Sequence, residues 1–462
     1  MNVTERIAHA IAETDFDHLS EEAITQSKRA ILDTIGVTLA GHQDEAGQII
    51  TTWVQQHRTD TGAAILGTPI LTSPALAALA NGTLGHALDF DDVTTHMQGH
   101  PSVTVLPAVL SLGESLGVSG AEALTAFVLG VETEAKIGKT MSAALSRRGW
   151  HPTAVLGPFG AAAAASKFLG LSGSQIRMAL GIAASKASGL RQNFGTMTKP
   201  LHAGEAARSG VEAAQWAHQG FTADADILAS RLGFFMTLVG EGEFDPEVAP
   251  QDFGQPYEIV SPGIGVKPYP ACRQVHRSID AMLELVRTHR FQPEDIEEII
   301  CESSEETLNY LVHHRPRTGS EGRFSMEYCM AASIIHGQMG LAQFDDAAVQ
   351  DERAQTLLQR VRYEHPDAGQ PQWDTTLPDV ITVVLRDGQR LLQRADVAKG
   401  DPALPLSWEE LVDKFYDCAT AVLPEAQAEA AVQQIAHLES QPSLQPLMAH
   451  LTCASPPSST GI

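Results

Sequence analysis

Cysteine is scarce in this chain and badly placed for a framework. Five residues, Cys272, Cys301, Cys329, Cys418 and Cys453, are odd in number and widely spaced, with no C-x-x-C pair. That excludes a disulfide scaffold and gives no three-thiolate pattern for an iron–sulfur cluster. A reduced, cytoplasmic protein is the plain reading. Basic residues are also few, 31 Lys and Arg against 56 Asp and Glu, for a net charge of −25. Such a surface argues against nucleic acid or an anionic membrane as partner. No uninterrupted apolar run approaches about 18 residues, and the amphipathic start MNVTERIAHAIAE lacks the basic-then-apolar order of a signal peptide. Aromatics are 6% of the chain. H-E-x-x-H and the P-loop pattern are absent.

What is present is helix with abundant Ala and Gly. Residues 21–40, 74–88 and 103–117 carry apolar side chains at helical spacing, the first stopping at Gly41. Residues 153–168 and 203–219 are rich in small residues, which lets helix backbones approach closely, and Gly170 and Gly220 stand at the expected stops. The texture changes near Ser261, where SPGIGVKPYPA holds three prolines and two glycines. Beyond it, 296–302 and 379–395 read as strands, the second with Asp387-Gly388 as a two-residue hairpin turn. Helices recur at 274–289, 325–338, 407–419 and 424–438. These readings give a mainly α chain in which residues 1–262 form a helical domain, completed by 400–453. Residues 263–399 form an inserted α+β domain, and 454–462 a disordered tail.

Four segments carry chemistry. The first, HALDFDDVTTHMQGHPSV (86–103), gathers Asp89, Asp91, Asp92, His96 and His100. Asp89 and Asp92, three apart, share a face if the segment is helical. A metal site competes here, because His96 and His100 are four apart beside carboxylates, but Pro101 disfavours helix at His100. A capped helix end with solvated acids is a further reading, and a loop in which a buried carboxylate orients a histidine is the one preferred. In the second, Trp150-His151-Pro152-Thr153, Thr153 reads as an N-cap and His151 lies by the positive end of a helix, which favours a neutral base. The third, NFGTMTKPLH (193–202), puts Lys199 in an apolar, weakly charged stretch ahead of a helix. In the fourth, Lys267, Arg273, His276 and Arg277 fall within eleven residues, dense positive charge for so acidic a chain. Arg323-Phe-Ser-Met-Glu-Tyr328 opens a helix and offers a phenol. Together these are the parts needed to form a carbanion beside a carboxylate: a proton acceptor and cations already in place for the developing charge.

In HALDFDD…GHPS, GWHPT…GPFGAAAAASK, NFGTMTKPLHAGEAA and KPYPACRQVH, in that order and over nearly its whole length, the chain resembles the MmgE/PrpD family. That family holds 2-methylcitrate dehydratases, cis-aconitate decarboxylases and iminodisuccinate epimerase. The resemblance implies an all-helical main domain built from both chain ends and an inserted α+β lid. It also implies a homodimer, a small polycarboxylate substrate, and no metal or organic cofactor. Carried over, the catalytic residues would be Asp89, His100, His151, Lys199, Lys267 and Tyr328, with His202, Cys272, Arg273 and His276 binding substrate. Cis-aconitate decarboxylases place a threonine where this chain has Val93 and a histidine where it has Cys272; the epimerase shares the Asp-to-His spacing and the cysteine. The expectation is therefore a cofactor-free dehydratase or hydratase of a citrate-like acid. The alternatives, in order, are an epimerase of an aspartate- or succinate-derived polycarboxylate, a cis-aconitate decarboxylase and a non-catalytic polycarboxylate-binding protein.

Overall fold

A computed structural model describes residues 1–364 and 377–453. The expected tail, 454–462, lies outside the described residues. The chain is mostly helical with small sheets and divides into two compact units, Met1–Val266 with the chain from Ser407, and Lys267–Leu406. Among the described residues no helix is long and apolar enough to cross a membrane.

The helices of the first unit that position the site are α1 (Glu21–Ala40), α2 (Pro74–His86), α3 (Ser102–Leu116), α4 (Gly120–Arg147), α5 (Pro152–Phe168) and α6 (Thr198–His218). Four of these starts have a local cause. Ser20 Oγ accepts the Ala23 N–H before α1, Ser119 and Glu122 form a capping box before α4, and prolines open α2 and α5. α5 is buried without a break from Pro152 to Ser166, which a helix with a polar face could not tolerate.

The small residues set how closely these helices approach. A Cβ added at Gly204 of α6 would lie 2.3 Å from the Leu79 carbonyl oxygen of α2, and one at Gly82 would lie 2.8 Å from the Gly204 Cα. At Gly210 it would meet the Ala161 Cβ of α5 at 2.3 Å. Gly41 does not end α1 in the left-handed conformation expected of a stop. Its φ is −59° and the chain runs on into a 3₁₀ turn. Its need for glycine is the Leu84 carbonyl, 2.1 Å from where a Cβ would stand.

In the second unit, α7 (His276–His289) and α8 (Met326–His336) accompany a four-stranded sheet of β1 (Ile296–Glu302), β2 (Val361–Glu364), β3 (Asp379–Leu385) and β4 (Arg390–Ala395). The order is β2-β1-β3-β4, with β1 and β2 parallel and the other pairs antiparallel. Four residues, 386–389, separate β3 from β4, rather than the two expected. Leu385 N–H bonds to the Gln389 carbonyl, Gly388 N–H turns back to the Leu385 carbonyl, and Gly388 takes φ +87°.

The chain then returns to the first unit through α9 (Trp408–Ala419), which packs on α1. Lys414 of α9 lies 2.6 Å from Asp33 and donates to the Phe90 carbonyl at 2.9 Å. The C-terminal segment thus holds the backbone of the segment that follows α2.

Candidate functional site

The five sequence-chosen residues of the first unit come together. α2 ends at His86, and the chain turns at Asp89, whose φ of +51° is strained for a non-glycine residue. Asp89 and Asp92 therefore do not share a helix face, as expected from their spacing. Asp89 Oδ1 takes the Lys199 ammonium at 2.7 Å, while Asp92 accepts from the Ser102 hydroxyl and, at 3.2 Å, from its N–H. Val93 pairs with Gly265 in both backbone directions, at 2.9 and 2.8 Å, and Thr94 N–H bonds to the Gly99 carbonyl, so the loop is tied before it reaches His100. His100 lies outside α3, as Pro101 required. Its N–H donates to Thr153 Oγ1 at 3.1 Å. That hydroxyl is not the N-cap of α5, as the sequence suggested; the cap position belongs to His151 and Pro152 is the first helical residue.

Lys199 and His202 sit in the first turns of α6, which starts five residues earlier than the small-residue pattern implied. Lys199 is 5% exposed and its Nζ is 5.3 Å from the Phe194 ring. His151 Nδ1 and His202 Nδ1 are 3.1 Å apart, a bond that requires one of them to accept and hence to carry no proton there. His100 Nε2 is 3.7 Å from Asp89 Oδ1, and its Nδ1 is 3.0 Å from Asp91 Oδ2.

Electrostatics follow from burial. Burial first, then repulsion from His86, Lys199 and His202 when they carry charge, holds His151 well below the usual histidine range. The cause is thus not chiefly the helix end invoked from sequence. Burial and then Lys199 bring His202 down to about 4, and burial, opposed by Asp91, brings His86 to about 4. These imidazoles are neutral near pH 7. A depressed histidine contributes stability that is whole above about 6.5 and lost as pH falls toward 4, because the unfolded chain binds the proton first. Side-chain NMR titration should place the His86 and His202 midpoints near 4; midpoints near 6.5 would show these rings to be solvated.

Two residues that the sequence reading left out of the site complete it. Asp91, fully buried, faces both His86 and His100, and the His86 and His100 rings meet edge to face at 4.5 Å. The alternating D-F-D-D letters were the available signal. Nothing in the spacing told that the final residue of a helix, His86, would fold back on the carboxylate five positions later.

His86, Asp89, Asp91 and His100 offer donor atoms within 4.8 Å of one another, a set chemically suited to a divalent transition metal. The His96–His100 pairing weighed from sequence is not the one formed: His96 bonds instead to Glu258 at 2.5 Å. Asp89 Oδ1 already faces the Lys199 ammonium, and Asp91 already faces two imidazoles. The arrangement favours charge compensation by the protein itself.

The residues chosen beyond 266 belong to the second unit. Lys267 is 1% exposed. Arg273 already has a carboxylate, Asp401 at 2.7 Å, and Arg277 has Asp379 at 3.4 Å, so the cation run is not all reserve charge for a ligand. His276 Nε2 is 3.1 Å from the Ala271 carbonyl, and the buried Cys272 donates its N–H to the Arg323 carbonyl. The Tyr328 hydroxyl donates to the Gln343 carbonyl, and burial pushes the phenol up from its usual value.

Gly113-Glu114-Ser115-Leu116-Gly117 matches the letters G-x-S-x-G, but it forms the end of α3 and its left-handed Gly117 stop, not a strand-to-helix elbow. It is no nucleophile motif.

A buried lysine–aspartate pair therefore lies among histidines held neutral. The MmgE/PrpD N-terminal domain matches residues 5–247 and the MmgE/PrpD C-terminal domain residues 269–439; the chain belongs to the MmgE/PrpD family and is an enzyme of that type, of the lyase class. It is 33% identical to the cis-aconitate decarboxylase of Mus musculus over 452 residues, 95% of this chain and 91% of that protein. The cis-aconitate decarboxylase of Homo sapiens is 32% identical over 468 residues, 99% and 96% of the two chains. The 2-methylcitrate dehydratase of Salmonella typhimurium is 24% identical over 404 residues, 81% of each.

Proposed function

We propose that the chain is a lyase of a small citrate-like polycarboxylic acid, removing a proton from carbon beside a carboxylate and eliminating or adding water across that bond. The observation that carries the reading is Lys199, a buried cation 2.7 Å from Asp89 beside histidines held neutral. A C–H bond beside a carboxylate is a very weak acid, and the charge formed on losing its proton needs a cation already desolvated and in place. His100 and His151, buried near Lys199, are the candidate bases, and a neutral imidazole is the competent form. Lys267 is the second cation of this reading and Tyr328 its candidate proton donor. The same site, with a different bond to carbon breaking, supports decarboxylation. That second reading is favoured by the names of the mouse and human relatives and opposed by Val93 and Cys272. Epimerisation would need only proton removal and return.

Incubation with 2-methylcitrate, citrate and cis-aconitate separates the three. Ultraviolet alkene absorbance that changes without carbon dioxide release is expected. Carbon dioxide release makes the enzyme a decarboxylase, and solvent deuterium uptake without net change an epimerase. No reaction with any of these acids would overturn the citrate-like substrate.

A further inference from the structure

We propose that Asp91 is a positioning residue that fixes the tautomer of His100, holding hydrogen on Nδ1 so that Nε2 faces Asp89 and Lys199 as the proton acceptor. The inference rests on the proton-abstracting reading of this site and deepens it. Asp91 is fully buried, between two imidazoles. Its oxygens lie 3.0 and 2.9 Å from His86 Nδ1, and Oδ2 lies 3.0 Å from His100 Nδ1. Burial alone would raise this carboxyl, but His100 and His86 outweigh it and hold it well below the usual range. An ionised carboxylate only accepts, so hydrogen must stand on His86 Nδ1, and the Asp91 charge 3.0 Å from His100 Nδ1 favours hydrogen on that nitrogen as well. A neutral imidazole with hydrogen on Nδ1 has its lone pair on Nε2. For His100 that atom is the one 3.7 Å from Asp89 and, through it, beside Lys199.

His86 has a separate part. Its Nε2 is buried with no hydrogen-bond partner among the described residues, and its ring stacks on His151 at 5.8 Å and 17°. With the accepting Asp91 carboxylate on Nδ1, the neutral ring carries its lone pair on Nε2. His86 thereby engages both Asp91 oxygens and limits the carboxylate to one orientation toward His100. Asp91 touches no reacting atom in this scheme; it acts through His100.

The test is ¹⁵N side-chain NMR on the full-length chain near neutral pH. Both rings are expected to show protonated Nδ1 and bare Nε2. Asp91→Asn, which can offer N–H in place of a pure acceptor, should release the His100 tautomer. It should lower kcat by about 10²–10⁴-fold with KM within about threefold, and Asp91→Glu should recover part of the rate. Parent spectra showing His100 with hydrogen on Nε2, or doubly protonated, would overturn the proposal even if no variant folds. A kcat loss matched by an equal rise in KM would overturn it too. The parent tautomers are read without turnover, so a chain inactive on every acid tried would defeat the proposed function and leave this test standing.

Discussion

Replacing Lys199 with Met is expected to lower turnover of the lyase substrate by at least about 10³-fold. One preorganised donor to a developing anion is worth about 10²–10³ in rate, and Lys199 brings a full charge. It does so at 5% exposure, where water cannot replace it. The single variant confounds two effects, because Asp89 would keep a buried carboxylate whose 2.7 Å ammonium is gone. Breaking a buried pair in this way costs about 3–5 kcal/mol of stability. The double variant Lys199→Met/Asp89→Asn removes the stranded charge and should melt closer to the parent than the single one does. Turnover should stay lost in both. If the double variant melts like the parent and keeps its rate within tenfold, the lysine is a structural partner of Asp89 and the proposed chemistry fails.

The sequence carried the helices well where small residues and apolar spacing agree, as in α1, bounded as expected at 21–40, and β1, at 296–302. It misjudged features that depend on what lies opposite. Gly41 looks like a stop by its place at a helix end, yet it is glycine because the Leu84 carbonyl lies against it. Thr153 looks like an N-cap because Ser, Thr and Asp usually cap, but Pro152 starts the helix one residue earlier and frees the hydroxyl for His100. The loop between α2 and α3 shows the limit most clearly. Its composition announced acids and histidines near one another, but spacing treated Asp89 and Asp92 as one face. The left-handed backbone at Asp89 instead sends one to Lys199 and the other to Ser102. A single left-handed residue reorients everything after it, and no periodicity encodes that.

The distant partners were less legible still. Lys199 stood out as a cation in an apolar stretch, but its pairing with Asp89 spans 110 positions, and only the crossing of α2 and α6 brings them together. The excess positive charge of the KPYPACRQVHR run was legible. Its neutralisation by Asp379 and Asp401, more than 100 residues later, was not.

That crossing is the second place where one substitution should have a large effect. In Gly204→Ala the new methyl would stand 2.3 Å from both the Leu79 carbonyl oxygen and Thr83 Oγ1. The hydroxyl can rotate, but the carbonyl is held by α2 and cannot. The two helices must separate, in a region where Gly82 Cα already faces Gly204. Overpacking of this kind costs about 1–3 kcal/mol, and loss of contact along the rest of the crossing adds to it. The expected result is a melting temperature lower by about 2–5 °C. Activity should fall beyond what the unfolded fraction explains, because α2 ends at His86 and α6 carries Lys199 and His202. Gly220→Ala is the matched control. That glycine has φ +93° with nothing within 4 Å of the added methyl, so its cost is backbone strain alone, about 1 kcal/mol, and the site should stay intact. Thermal melts of both variants decide the matter. If Gly204→Ala melts within a degree of the parent and turns over normally, close approach at Gly204 is not what sets the distance between Lys199 and Asp89.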